Sequence, residues 1–194
     1  MSDELLEGQR RMMRGMAAAT LLGMPVIGWV IARWSNEVNL WDRWVGFAPL
    51  WKQLLIGLPY GILAALFARF IISRHFMRGV RMRYERMFKG LRLNWSEVVF
   101  ISMCAGVGEE LLFRGCLQPL MGIILTAVIF VAIHGYLNPR DWRISVYGAY
   151  MTAITFGFGW MTEEFGVWSA VTAHMVIDVL LLADLTTDEP SNED

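Results

Sequence analysis

The sequence predicts an all-α fold, a polytopic transmembrane helix bundle of about six spans, and three observations carry that prediction. Of 194 residues, 56% are hydrophobic and 18% charged, with a mean hydropathy of +0.43. That balance is too apolar for an ordinary soluble domain of this size. Apolar runs long enough to cross a bilayer recur along the chain, separated by short charged or turn-forming stretches. Finally, Trp29, Trp34, Trp41, Trp44, Trp51, Trp95, Trp142 and Trp168 stand at or near the ends of these runs, where amphipathic rings favour the head-group level.

Residues 1–14 are polar and charged and form an expected cytoplasmic N-terminus. The run 15–32 carries no charge and is bounded by Arg14 and Arg33; at about 1.5 Å per residue it extends roughly 27 Å, close to the hydrocarbon thickness. It lacks a small-residue cleavage pattern, so it reads as a first span rather than a removed signal peptide. The second span is expected at 54–72, with Arg69 near enough to its end to snorkel. The third, 95–118, holds Glu109, Glu110 and Arg114 deep in apolar sequence. Spans four to six are expected at 120–136, 144–161 and 167–183, with turns at 138–141 and 162–164. The transmembrane domain is thus 15–183, its chemistry concentrated in 95–183, and the acidic tail 184–194 is expected to be disordered.

The net charge of −1 hides a strong asymmetry. Arg74, Arg78, Arg81, Arg83, Arg86, Lys89 and Arg92 cluster between two apolar spans, which argues for a loop facing anionic lipid and against a nucleic-acid partner. Together with Arg10, Arg11, Arg14, Arg140 and Arg143 they outnumber Arg33, Arg43 and Lys52 of the opposite side, so both termini are expected in the cytoplasm. Cys104 and Cys116 on one helix stand roughly 18 Å apart, beyond disulfide reach, and are expected to be free.

Ionisable side chains inside a bilayer persist where they are paired or line a wet cavity. Here they come in three sets with an i,i+4 relation: Glu110 with Arg114, Phe130 with His134, and His174 with Asp178. On a helix Glu110 and Arg114 share a face and are expected to form a bidentate structural pair. Glu109, rotated by about 100° from its neighbour, points elsewhere without a built-in counter-ion and is the candidate general base. Phe130 is expected to pack on the imidazole of His134. A carboxylate and two imidazoles suffice for water-mediated amide hydrolysis, with Glu109 and His134 activating water and His174 stabilising the oxyanion.

The pattern EExxxR, FxxxH, HxxxD, read at Glu109-Glu110 and Arg114, at Phe130 and His134, and at His174 and Asp178, resembles the CPBP family. These are CAAX proteases and bacteriocin-processing enzymes, also called the ABI family, and include the Rce1-type prenyl-protein endoproteases. The resemblance covers roughly 95–182, including the Gly157, Gly159 and Gly166 approach to the last motif. It implies a glutamate-dependent intramembrane endopeptidase without metal or cofactor, acting on a membrane-associated peptide or protein, lipidated substrates among them. By the same resemblance Glu109 and His134 activate water, His174 and Asp178 form the oxyanion side, and Glu110 and Arg114 support the site. Asp178 stands where Rce1-type enzymes have Asn, and no basic residue follows the first motif between Gly115 and Gly122. The lack of additional domains and of a eukaryotic targeting signal leads to the expectation of a prokaryotic member.

Three other readings compete. A zinc metalloprotease would use Glu109 or Glu110, His134 and His174 as ligands, but HExxH is absent. A non-proteolytic immunity or scaffold protein would share the fold without the chemistry. A proton-coupled transporter would use the same Glu and His, and the absence of an internal repeat argues against it.

Overall fold

A computed structural model describes residues 3–89 and 91–187 of the chain. Helix α1 (Asp3–Ser35) combines the polar N-terminus and the first span into one rod. A short helix α2 (Leu40–Val45) and the span α3 (Leu50–Ile72) follow. A 3₁₀ turn at His75–Met77 then leads into the basic helix α4 (Arg78–Lys89). Helix α5 (Trp95–Leu112) starts at a capping box: the Asn94 side chain accepts from the Glu97 amide, and the Glu97 carboxylate accepts from the Asn94 amide. It runs through a π-helical turn (Phe113–Leu117) into α6 (Gln118–Met121). The bundle closes with α7 (Ile123–Ile133), α8 (Trp142–Glu164) and α9 (Val167–Thr187). Among the described residues there is no strand, and the protein is an all-α integral membrane bundle.

Six helical segments correspond to the expected spans, but they are not equivalent. Three helices, within α1, α3 and α9, are long and apolar enough to cross a membrane by themselves. Helix α7 has only 11 residues, or roughly 16 Å against a hydrocarbon core of about 30 Å. The fourth span predicted at 120–136 is therefore broken at both ends, where Gly122 and Gly135 take positive φ values of 78° and 77°.

Close backbone approach sets the packing. A Cβ at Gly57 would lie 2.3 Å from the Ser169 carbonyl oxygen, and one at Gly61 2.6 Å from that of Ala173. This glycine pair, four residues apart, lets α3 and α9 touch along their backbones, the packing mode available when lipid removes the hydrophobic drive between helices. Helix α5 is held on two sides in the same way: Gly106 faces Met175 of α9, while Gly108 faces the Thr20 carbonyl of α1. Glu109 and Glu110 follow directly, so this close seam fixes where the two carboxylates emerge.

Several sequence expectations are corrected. Residues 162–164 complete the last turn of α8 instead of forming a loop, and the chain reverses at Phe165-Gly166. The basic stretch expected as a loop is mostly helical, as α4. Helix α9 extends past 183 to Thr187, so the tail begins helically, and 188–194 lie outside the described residues. Trp29, Trp34, Trp41, Trp51, Trp95 and Trp142 are exposed as interfacial rings should be, but Trp44 and Trp168 turn inward: Trp168 Nε1–H donates to the Trp44 carbonyl at 2.8 Å. Both cysteines are free and buried.

Candidate active site

The three polar sets meet between α5, the C-terminal end of α7, and α9. Glu110 is fully buried and lies at the centre: its Oε2 is 3.3 Å from Arg114 Nε, and its Oε1 accepts from His174 Nδ1–H at 2.9 Å. The expected ion pair is present, but as a single contact instead of a bidentate fork, because the second carboxylate oxygen is taken by the histidine. Arg114, with a side chain 1% exposed, also meets partners outside α5. Its Nη2–H donates to the Thr155 carbonyl at 3.3 Å, and its guanidinium lies 5.0 Å from the Phe130 ring and 5.8 Å from the Phe158 ring.

Glu109, one residue earlier, faces the other way. Its Oε2 lies 3.4 Å from His134 Nε2, with side-chain exposures of 15% and 32%. The distance is within ion-pair range but longer than a good hydrogen bond, and Glu109 Oε2 has no hydrogen-bond partner in the protein. His134 is the residue on which α7 stops. Its Nδ1 is 2.6 Å from the Phe130 carbonyl, an obligate acceptor, so Nδ1 carries the proton and Nε2 is presented to Glu109. The Phe130 ring packs on His134 with centroids 4.5 Å apart, as expected, and also meets the His174 ring edge-on at 5.8 Å.

His174 is held between two carboxylates, since its Nε2 lies 3.5 Å from Asp178 Oδ2. Phe158 stacks on the same ring at 5.9 Å. The dry side of the site is therefore walled by aromatic rings. The opposite side is open: a cavity of about 710 Å³ reaches Asp178 and Tyr136 from the end of the bundle formed by α4 and the last turns of α3 and α9. Its apolar walls include Leu66, Phe70, Met77 and Leu181. The ion pairs Arg69–Asp184 (2.6 Å) and Arg81–Glu85 (2.5 Å) lie along it.

All seven residues singled out from sequence come together here. Among the described residues no three His, Cys, Asp or Glu side chains converge as ligands for a metal ion. Sequence reasoning missed Thr155 and Phe158, buried three residues apart on one face of α8; that helical spacing in an otherwise apolar span was the available signal. It also missed Trp44, whose Nε1–H donates to the Leu111 carbonyl at 3.1 Å, at the entry to the π turn that presents Arg114. A Cβ on Gly115 would lie 2.6 Å from that indole nitrogen, so only glycine admits the ring. π turns recur at functional sites because they re-aim a side chain within a helix.

Comparison with known proteins agrees with the motif resemblance. Residues 91–180 match the family model described as type II CAAX prenyl endopeptidase Rce1-like. The chain is also 33% identical over 90 residues to a Bacillus subtilis protein named only as uncharacterized protein YpbD. That match spans 45% of either chain, less than half of the relative's length. No solved structure matches.

Proposed function

We propose that this chain, whose residues 91–180 match the Rce1-like family model, is an intramembrane endopeptidase that hydrolyses a peptide bond with water activated by Glu109 and His134. The observation that carries the reading is the split between the two adjacent carboxylates. Glu110 is fully buried and held between Arg114 and His174, whereas Glu109 is partly exposed and faces His134 Nε2 without a cationic side chain of its own helix beside it. A water held by that pair loses a proton to the base as its oxygen attacks the scissile carbonyl. His174, its Nδ1–H held by Glu110 and its ring stacked on Phe158, donates as the imidazolium its Nε2–H to the resulting oxyanion, and Asp178, 3.5 Å from that nitrogen, balances the ring's charge. Collapse of the tetrahedral intermediate breaks the C–N bond, and the proton held by Glu109 and His134 passes to the leaving amine. General acid–base help of this kind supplies about 10²–10⁴-fold, and one oxyanion donor a comparable factor.

The substrate in this reading is a membrane-associated peptide or protein, lipidated ones included, whose apolar chain fills the cavity that leads to Asp178. The site then opens toward the end of the bundle that carries Arg10, Arg14, Arg74 and α4. By the positive-inside rule that end, with both termini, is cytoplasmic. The catalytic domain is 95–183, and α1 and α3 brace it.

The test compares membrane-peptide profiles of cells carrying wild-type or Glu109→Gln protein. Uncut precursors should accumulate only with the variant, while its insertion and thermal stability remain those of wild type. Identical profiles would instead support a scaffold or immunity role. Cleavage abolished by a chelator and restored by zinc would favour metalloprotease chemistry.

A further inference from the structure

We infer that the outward face of α4 is a docking surface for anionic phospholipid head groups of the leaflet at this end of the bundle. Wound at 3.6 residues per turn, α4 turns its aromatic and aliphatic residues to the cavity and exposes three of its arginines. Val80, Arg81, Tyr84, Glu85 and Phe88 line the cavity, where Arg81 is paired with Glu85. Arg83 and Arg86 lie on the other side and Arg78 at the edge between the two faces; all three are exposed, and among the described residues no carboxylate pairs with any of them. Such a helix, apolar toward the protein and cationic outward, has the composition of an interfacial helix.

Its height in the bundle is fixed independently. The 3₁₀ turn that enters α4 places Phe76 in a stack with Trp142, centroids 5.6 Å apart and planes 14° apart. Both rings are exposed, and Arg143 lies 5.3 Å from the Trp142 ring. Arg74 sits 3.6 Å over Phe70 at the end of α3. Aromatic rings with arginines at span ends mark the head-group level, so α4 lies where phosphates are. Because the inner face of α4 walls the cavity, lipid bound outside holds that wall in place. The inference rests on the placement of α4 alone and stands or falls separately from the proteolysis reading.

The experiment uses the full chain in nanodiscs of pure phosphatidylcholine or of phosphatidylcholine with one-third phosphatidylglycerol, and follows amide hydrogen exchange across α4. Exchange should be on the order of fivefold to tenfold slower in the anionic discs at low salt, from three cations near the surface. The difference should vanish at roughly 0.5 M salt, where screening is nearly complete. It should also vanish in the triple variant Arg78→Gln, Arg83→Gln, Arg86→Gln. Equal exchange in both discs would overturn the inference, as would a difference that survives salt or the triple variant. Protection produced by poly-glutamate in neutral discs, with none from phosphatidylglycerol, would assign the face to an acidic protein and also overturn it. The salt arm uses wild-type protein, so the outcome is decided even if the triple variant folds poorly.

Discussion

The site has a dry half and an open half, and they differ although adjacent residues of one helix supply both. On the dry half, Glu110, Arg114 and the Nδ1 side of His174 are packed among Phe130 and Phe158, with every charge matched. On the open half, Glu109, His134 and Asp178 are partly exposed, their contacts are 3.4–3.5 Å, and the cavity reaches Asp178. A rotation of about 100° between neighbouring residues is enough to make one carboxylate structural and leave the next available for chemistry. In the proposed mechanism a double acidic motif of this kind separates support from reactivity without a second helix.

The largest effects should come from attacking each half in turn. Glu109→Gln should lower cleavage by about 10³-fold, within the usual range for a lost general base, and leave the melting temperature within about 2 °C of wild type. Arg114→Ala should do the reverse first: it strands Glu110 without its buried partner and should cost about 3–5 kcal/mol of stability, measured by thermal unfolding in detergent. Retained wild-type melting in that variant would contradict the dry half as described. Trp44→Phe keeps the ring and removes the N–H that reaches the Leu111 carbonyl, so about 1 kcal/mol should be lost. With the π turn loosened, cleavage should fall by roughly tenfold at unchanged substrate affinity.

The smallest effect lies at the opposite end of the bundle. There the Arg43 guanidinium and the Gln118 amide both donate to Glu163. The hydrogen bonds from Arg43 hold the Glu163 carboxyl below its ordinary value of 4.5. A depressed carboxylate contributes stability that is fully present above the unfolded-state value and is lost as pH falls through the folded one. The melting temperature should therefore drop below about pH 4.5 in wild type, and less steeply in Glu163→Gln. Equal slopes would show that this network does not brace α2 against α8.

Much of this was legible because charges inside apolar runs stand out. Glu109, Glu110, Arg114, His134, His174 and Asp178 stood out as ionisable groups, and helical spacing paired Glu110 with Arg114 and His174 with Asp178, but the Glu110–His174 contact between α5 and α9 was not legible. What hid was carried by residues that look ordinary in a span. The apolar run through α7 gives no sign that the helix stops at Ile133, since only two glycines with positive φ break it. Thr155 and Phe158 read as filler until the Arg114 side chain is seen to need a carbonyl and a ring. Trp44 had the position of an interfacial anchor, and its inward turn depends on Gly115, seventy-one residues away in sequence. In α4 the arginines masked the apolar repeat of Val80, Tyr84 and Phe88, which marks a helix lying on the protein surface.

Glu109→Gln and Glu110→Gln, purified side by side in the same bilayer discs, test the division between the two carboxylates most directly when cleavage of a membrane peptide and thermal unfolding are measured on each. The account predicts opposite losses: the first protein melts like wild type and does not cut, while the second melts several degrees lower. A Glu109→Gln protein that cuts at the wild-type rate would contradict it.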